Sequence, residues 1–147
     1  MKYNEDNYLL LSTQICFPTY AVFNKILRRY QPLLKELDLT YTQYIIMMVM
    51  WEKEAVSEKE IGEALYLKPN TLADTLKLMS KKGLIDISKD EKDRRRLLIK
   101  LTEKGKELKK KAIHVPKTLY EENWLTDEEF DEYRRILYKL LEGDWGK

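Results

Sequence analysis

Apolar residues recur along the first part of the chain at helical spacing. Leu9, Cys16, Tyr20, Phe23, Leu27 and Tyr30 fall within about 40° of one line at ~100° per residue, so residues 7–30 read as helix with one apolar face. Pro18 interrupts that face. It lacks the N–H that would bond the Gln14 carbonyl, so a kink or a split is expected there. "QPLLKEL" reads as a short helical turn, and Thr40 caps a helix through Ile45–Trp51 that is apolar nearly all round and therefore central. Ser57, with Glu60 three residues on, is a capping box opening a short helix over 57–66. After a break at "YLKPN", Leu72, Leu76 and Met79 line one side of a helix over about 70–82. Asn70, Asp74, Lys77 and Lys81 lie opposite, and Gly83 is a stop signal.

The pattern then changes. "LIDIS" (84–88) and "LLIKL" (97–101) are short β-like runs. The segment between them, "KDEKDRRR", is polar and free of glycine and reads as a long exposed hairpin loop. Thr102 caps a basic helix, "EKGKELKKKAI", that meets Pro116, and Thr126 with Glu129 opens a last helix through about Leu141. The expected fold class is mainly α with a small two-stranded β-hairpin, in one domain over 1–147 without repeat or low-complexity linker.

Composition changes little of this picture, and charge changes more. The 147 residues, 44% of them hydrophobic, suffice for a real core. The longest apolar run, Ile45 to Trp51, is far short of the roughly 20 residues of a membrane helix. "MKYNEDNYLLL" carries acids and lacks a small-residue cleavage site, so no signal peptide is read there. One cysteine permits no internal disulfide, and a cytoplasmic protein is expected. The net charge is only +2, yet residues 81–111 hold 13 Lys and Arg against 6 Asp and Glu, a net of +7. Such a patch is ordinarily a solvated face; as a functional feature, clustered cations attract phosphates.

Two short helices with a tight break, then a hairpin with a basic tip, are the parts of a winged helix-turn-helix. The second helix can enter a major groove while the first crosses the backbone, and the tip can reach phosphates or a narrow minor groove. The candidate DNA contacts are Ser57, Lys68, Asn70, Thr71, Asp74, Thr75 and Lys77 on the helix pair, and Arg94, Arg95 and Arg96 on the wing. A bundle with a merely solvated loop, or a winged helix used on a protein partner, are the other readings. An enzyme is not expected: no phosphate-binding glycine loop, nucleophile elbow or zinc spacing is present, His114 has no ligand partner at helical spacing, and no cofactor or metal is called for.

Cys16 on an apolar helical face is, by residue type alone, a small hydrophobe. Chemistry at it requires thiolate, which an ordinary cysteine near neutral pH forms only in small part. Phenolic O–H donors favour the anion. Tyr20 lies one turn away, while Tyr30 and Tyr41 come from the end of that helix and the start of the central one, and either chain of a dimer could present them.

"IGEALYLKPNTLADTLKLMSKKGLI", followed by "DEKDRRRLLIKLTEKG", resembles the MarR-type transcription regulators. The likeness includes Gly-Leu-Ile after the second helix, an Asp-x-Arg wing (Asp93 and Arg95) and Leu-Thr-x-x-Gly opening the next helix. With "ICFPTYAVFNKILRRYQPLLKELDLTYTQYIIMMVMWE" it narrows to the OhrR-like one-cysteine branch, over about residues 10 to 141. That resemblance implies a homodimer, joined through helices in 7–36 and 112–147, whose 40–111 region binds a pseudo-palindromic double-stranded operator, usually as a repressor. It also implies a redox site of Cys16 with Tyr20, Tyr30 and Tyr41, oxidised by organic hydroperoxide to sulfenic acid. With no second cysteine, that acid is capped by a low-molecular-weight thiol or trapped as a sulfenamide, unless a cysteine of another protein intervenes. Lys68-Pro69-Asn70-Thr71 and Asp74 depart from the branch's usual recognition helix, so its operator is not carried over. A MarR-type regulator released by a small aromatic or phenolic ligand is the alternative.

Overall fold

The computed structural model describes residues 7–91, 93–122 and 124–143; the acidic start at 1–6, on which the signal-peptide reading partly rests, and Lys92 of the hairpin loop lie outside these. Contacts divide the chain into two compact units, Met1–Ala112 and Ile113–Lys147.

The first unit opens with a 3-10 turn, Leu11–Thr13, and then helix α1, Cys16–Glu36. The expected kink at Pro18 is absent because the helix starts later than the apolar spacing suggested. Ile15 is the N-cap, so Pro18 is the third helical residue, where an N–H has no intrahelical partner to lose. Nor is "QPLLKEL" a separate turn, for α1 runs on through Pro32 to Glu36. The helix ends in a Schellman motif: Leu39 N–H bonds the Leu34 carbonyl at 2.9 Å, Asp38 N–H bonds the Lys35 carbonyl at 3.1 Å, and Asp38 takes φ 53°.

Helix α2, Tyr41–Lys53, is the centre of the core, with Ile46, Met47 and Met50 fully buried. Against it pack α3 (Glu58–Leu65) through Ile61 and α4 (Pro69–Lys81) through Leu72, Leu76 and Met79. Removing each such side chain from water contributes about 1.5–3 kcal/mol, so this unit has a core of its own. α3 starts on the expected Ser57–Glu60 capping box, and Gly83 (φ 71°) follows α4.

The sheet has three strands where two were expected. β1 (Ala55–Ser57) pairs antiparallel with β3 (Leu97–Leu101), which pairs antiparallel with β2 (Ile85–Lys89), giving the order β1-β3-β2. Val56 and Ile87 both face Ile99 across the ladder. Three residues are too short for a period-2 signal, and β1 forms because β3 offers it an edge.

Thr102 starts α5 (Glu103–Ala112), its hydroxyl accepting from Gly105 N–H at 3.0 Å. A Cβ on Gly105 would lie 2.2 Å from the Leu84 carbonyl oxygen, so only glycine lets α5 approach the start of β2 this closely.

In the second unit, the helix expected to run on towards Pro116 gives way at Ala112 to a separate α6, His114–Glu121, in which Pro116 is again the third residue. α7, Asp127–Glu142, opens on the expected Thr126–Glu129 capping box and has no buried residue.

Candidate functional site

The candidate nucleic-acid face is built from α3, α4 and the β2–β3 wing. At the α4 N-terminus no side chain caps the helix, and Pro69 supplies a helical φ without a donor. The amides of Asn70 and Thr71 therefore point out of the first turn, an arrangement suited to a phosphate oxygen. Asn70, Thr71, Asp74 and Lys77 are exposed, while Leu72, Leu76 and Met79 are buried on the opposite side. Asp74 and Lys77 approach to 4.0 Å, a loose surface pair open to exchange for base or phosphate partners. Thr75 is half-buried and its hydroxyl donates to the Thr71 carbonyl at 2.7 Å, which leaves it acceptor capacity alone.

Asp93 folds the wing tip. Its carboxylate accepts from Arg95 N–H at 3.0 Å and its carbonyl from Arg96 N–H at 2.9 Å, while Asp90 N–H returns to the Arg96 carbonyl at 3.0 Å. Arg94 and Arg95 are exposed on that turn. Arg96 has another partner: its guanidinium donates to Ser57 Oγ at 3.3 Å, tying the base of the wing to the start of α3.

Ser57 is placed differently from the other candidates. It is 4% exposed, and its hydroxyl is engaged by Glu60 and Arg96. Hydrogen bonds from the Ser57 side chain and backbone hold the Glu60 carboxyl below its ordinary range, with Lys53 and Arg96 adding positive charge nearby. Ser57 is a positioning residue that fixes where α3 begins.

The thiol region lies on α1. Cys16 is its first residue and exposed, and Tyr20, one turn on, is 69% exposed. Tyr30 and Tyr41 do come together, with ring centroids 6.3 Å apart. They form part of a continuous aromatic file in which Phe23 meets Tyr41 at 5.9 Å, Tyr44 meets Tyr30 at 6.1 Å and Trp51 meets Tyr44 at 6.3 Å. Burial, with help from Tyr44 and Tyr41, pushes the Tyr30 phenol up to about 12, and burial raises that of Tyr41 too. Both are therefore protonated donors at any physiological pH. The structure does not bring Cys16 to Tyr30 within one chain, and it sets Tyr41 against Phe23, about two turns further along α1 than Cys16. Fourteen residues of α1 separate Cys16 from Tyr30, a rise of about 21 Å.

Two participants escaped the sequence reading. Tyr44 is one of them, and the signal was there: a tyrosine three residues after Tyr41 shares its helix face. Gln43 completes a capping box with Thr40: Thr40 Oγ1 accepts from Gln43 N–H at 3.2 Å, and Gln43 Oε1 accepts from Thr40 N–H at 3.2 Å. The Thr-x-x-Gln spacing announces that box directly. Among the described residues, no three His, Cys, Asp or Glu side chains cluster to hold a metal, and no helix is long and apolar enough to cross a membrane.

Comparison with known proteins agrees with this layout. The family model for the transcriptional regulator SarA/Rot matches residues 28–112. The organic hydroperoxide resistance transcriptional regulator of Bacillus subtilis is 39% identical over 139 residues, covering 95% of both chains. The regulator SarZ of Staphylococcus aureus is 37% identical over 127 residues, 86% of this chain and 84% of its own. Among solved structures, reduced AbfR bound to DNA superposes with a TM-score of 0.72 at 30% identity, covering 90% of this chain and 96% of that one; AbfR is a Staphylococcus epidermidis protein. With a shared fold, 39% identity to an organic hydroperoxide resistance regulator over nearly the full length and a single cysteine at the head of α1, the chain belongs to the MarR-type transcriptional regulators of the SarA/Rot family, in their OhrR-like one-cysteine branch.

Proposed function

We propose that this chain is a homodimeric transcriptional regulator, most simply a repressor, whose grip on a pseudo-palindromic operator is ended by oxidation of Cys16. It reads DNA through Lys68, Asn70, Thr71, Asp74, Thr75 and Lys77 of α4, with Arg94 and Arg95 on the backbone at the wing. Its role is regulatory rather than catalytic, and its site of action is the cytoplasmic DNA.

One observation carries the redox part. A pair of protonated phenols, Tyr30 and Tyr41, stands ready to donate, while the chain's own Cys16 lies about 21 Å from Tyr30 along α1 and about 10 Å along α1 from Phe23, against which Tyr41 packs. A second copy must supply the sulfur. Support for that second copy comes from unpartnered apolar surface: Leu9 is 97% exposed, Ile15 at the N-cap and Phe17 and Tyr20 on α1 are exposed, and Tyr133, Ile136 and Leu141 are exposed on α7. Patches of this kind mark association surfaces.

The chemistry follows. The Cys16 thiolate attacks the distal oxygen of a hydroperoxide; an S–O bond forms, the O–O bond breaks, and the alkoxide leaves and takes a proton to become the alcohol. Sulfur is oxidised by two electrons to sulfenic acid. A small thiol then condenses with it, forming a mixed disulfide and releasing water. Either product lacks the anionic acceptor that the tyrosines were holding. The bacillar relative is named for organic hydroperoxide resistance, and the DNA-bound AbfR is described as reduced; both support this reading.

A ligand-released regulator has its own support in a cleft of about 390 Å³ lined by Leu27, Gln31, Leu34, Lys35, Leu39 and Tyr41, among others. A mobility shift on the DNA upstream of the protein's gene separates the two. Wild type should release its operator with organic hydroperoxide and Cys16→Ser should hold it; release from the serine variant would sink the thiol mechanism.

A further inference from the structure

The recognition helix ends on a lysine that reaches back to the sensor. Lys82 is the C-cap of α4, its N–H bonded to the Leu78 carbonyl at 3.0 Å. Its ammonium donates to the Asp38 carbonyl, lies 3.2 Å from the Asp38 carboxylate and donates to Gln43 Oε1 at 3.3 Å. These partners are 44 and 39 residues away in sequence. Gln43 is not an arbitrary one. It is 3% exposed, and the same Oε1 that meets Lys82 accepts from Thr40 N–H in the capping box that starts α2. Tyr41, which follows Thr40, is the first residue of α2 and one of the two phenols assigned above to the thiolate.

We infer that Lys82 is the positioning residue that couples the tyrosine pair to the recognition helix. The inference rests on the redox reading above. While the thiolate holds Tyr41, the start of α2 is fixed, the Asp38 turn and Gln43 stay in register, and the ammonium ties the end of α4 to them. When Cys16 is oxidised and Tyr41 is released, the capping box shifts and carries the lysine's acceptors with it. Around the same point Lys104 Nζ donates to the Lys82 carbonyl at 2.7 Å and Thr102 Oγ1 to the Gly83 carbonyl at 2.7 Å, so α4 is fastened to α5 as well. A displacement at Lys82 therefore tilts α4 between two anchors.

The energetics suit a coupler. An ion pair whose carboxylate is as open as that of Asp38 adds little to stability even though Lys82 is largely covered, whereas two-site coupling is typically about 5–150-fold in affinity. The test measures operator affinity for reduced and oxidised protein, at several salt concentrations, in wild type, Lys82→Met, Lys82→Arg and Asp38→Asn. Cys16 sulfenate formation is followed by dimedone labelling. Lys82→Met keeps the aliphatic stem and loses the ammonium. Its Cys16 should oxidise at the wild-type rate, and its reduced form should bind within about 5-fold of wild type. Its oxidised form should bind more tightly than oxidised wild type, shrinking the reduced-to-oxidised ratio by about 5-fold or more. Lys82→Arg should restore most of the ratio, and Asp38→Asn should lie between.

Tighter binding by an oxidised variant is something a merely damaged protein does not produce. An unchanged ratio in Lys82→Met overturns the inference. So does a drop of about 1 in the salt slope, which would make Lys82 a phosphate contact. A wild type that oxidises and keeps its operator overturns the redox reading itself, and the coupling with it; a wild type that releases beside a Lys82→Met that releases as fully overturns the coupling alone.

Discussion

The helices of the winged region and the terminal helix α7 are equally well formed, yet they keep their apolar residues in opposite places. In the first, Ile46, Met47, Met50, Ile61 and Met79 are wholly inside. In the second, Phe130, Tyr133, Ile136, Tyr138 and Leu141 stand open and none is buried. The exposed end of α1 resembles α7 in this respect. A polypeptide that folds its reading head by itself, and leaves its ends unfinished, assigns stability to one region and assembly to the other.

That contrast can be attacked with four substitutions, the largest effect first. Leu76→Ala, in the buried side of α4, should cost about 2–5 kcal/mol in denaturant unfolding, with the same penalty at low and high protein concentration. Ile136→Asp on α7 should instead weaken self-association by about tenfold or more, read by sedimentation, while leaving the helix content of the monomer intact. A penalty independent of concentration would mean that α7 packs on its own chain, and the contrast would be lost. Ser57→Ala should cost about 1 kcal/mol by removing the α3 cap, and should weaken operator binding through misplacement of α3 and Arg96 rather than through a lost DNA contact.

The smallest effect concerns pH. The Tyr30 phenol ionises at about 12 in the folded chain and near 10 when unfolded. Between those values the unfolded state has already lost its proton and the native state has not, so stability should fall as pH rises from about 10 to 12. Tyr30→Phe should flatten that part of a thermal-melt series. An unchanged slope would place the titration on another phenol of the file.

Much of this was legible in the sequence because capping chemistry is local. Ser57–Glu60, Thr126–Glu129, Thr102 and Gly83 each mark an element end where the structure has one. What escaped depends on partners distant in sequence. β1 is three residues long and exists by virtue of β3. Pro18 looked disruptive because the apolar face seemed to begin at Leu9, whereas the helix begins at Cys16, and a proline in a first turn breaks nothing. Ser57 stood among the candidate DNA contacts, and its burial and its bond to Arg96 from the wing could not be read along the chain. Lys82 was one of thirteen cations in a basic segment, and only the folded corner at Asp38 sets it apart.

The length of α1 has a consequence that belongs to genetics. On the proposed reading, in which the sulfur of one copy meets the phenols of the other and Cys16 lies about 21 Å from Tyr30 along α1, each switch in a dimer takes its parts from two polypeptides. A Cys16→Ser chain paired with a Tyr30→Phe chain still owns one intact switch, because the serine chain lends its tyrosine to the other's cysteine. A wild-type chain paired with one carrying both changes owns none. Two broken alleles should thus complement each other better than a normal allele complements the double mutant, and co-expression of tagged subunits would reveal the inversion.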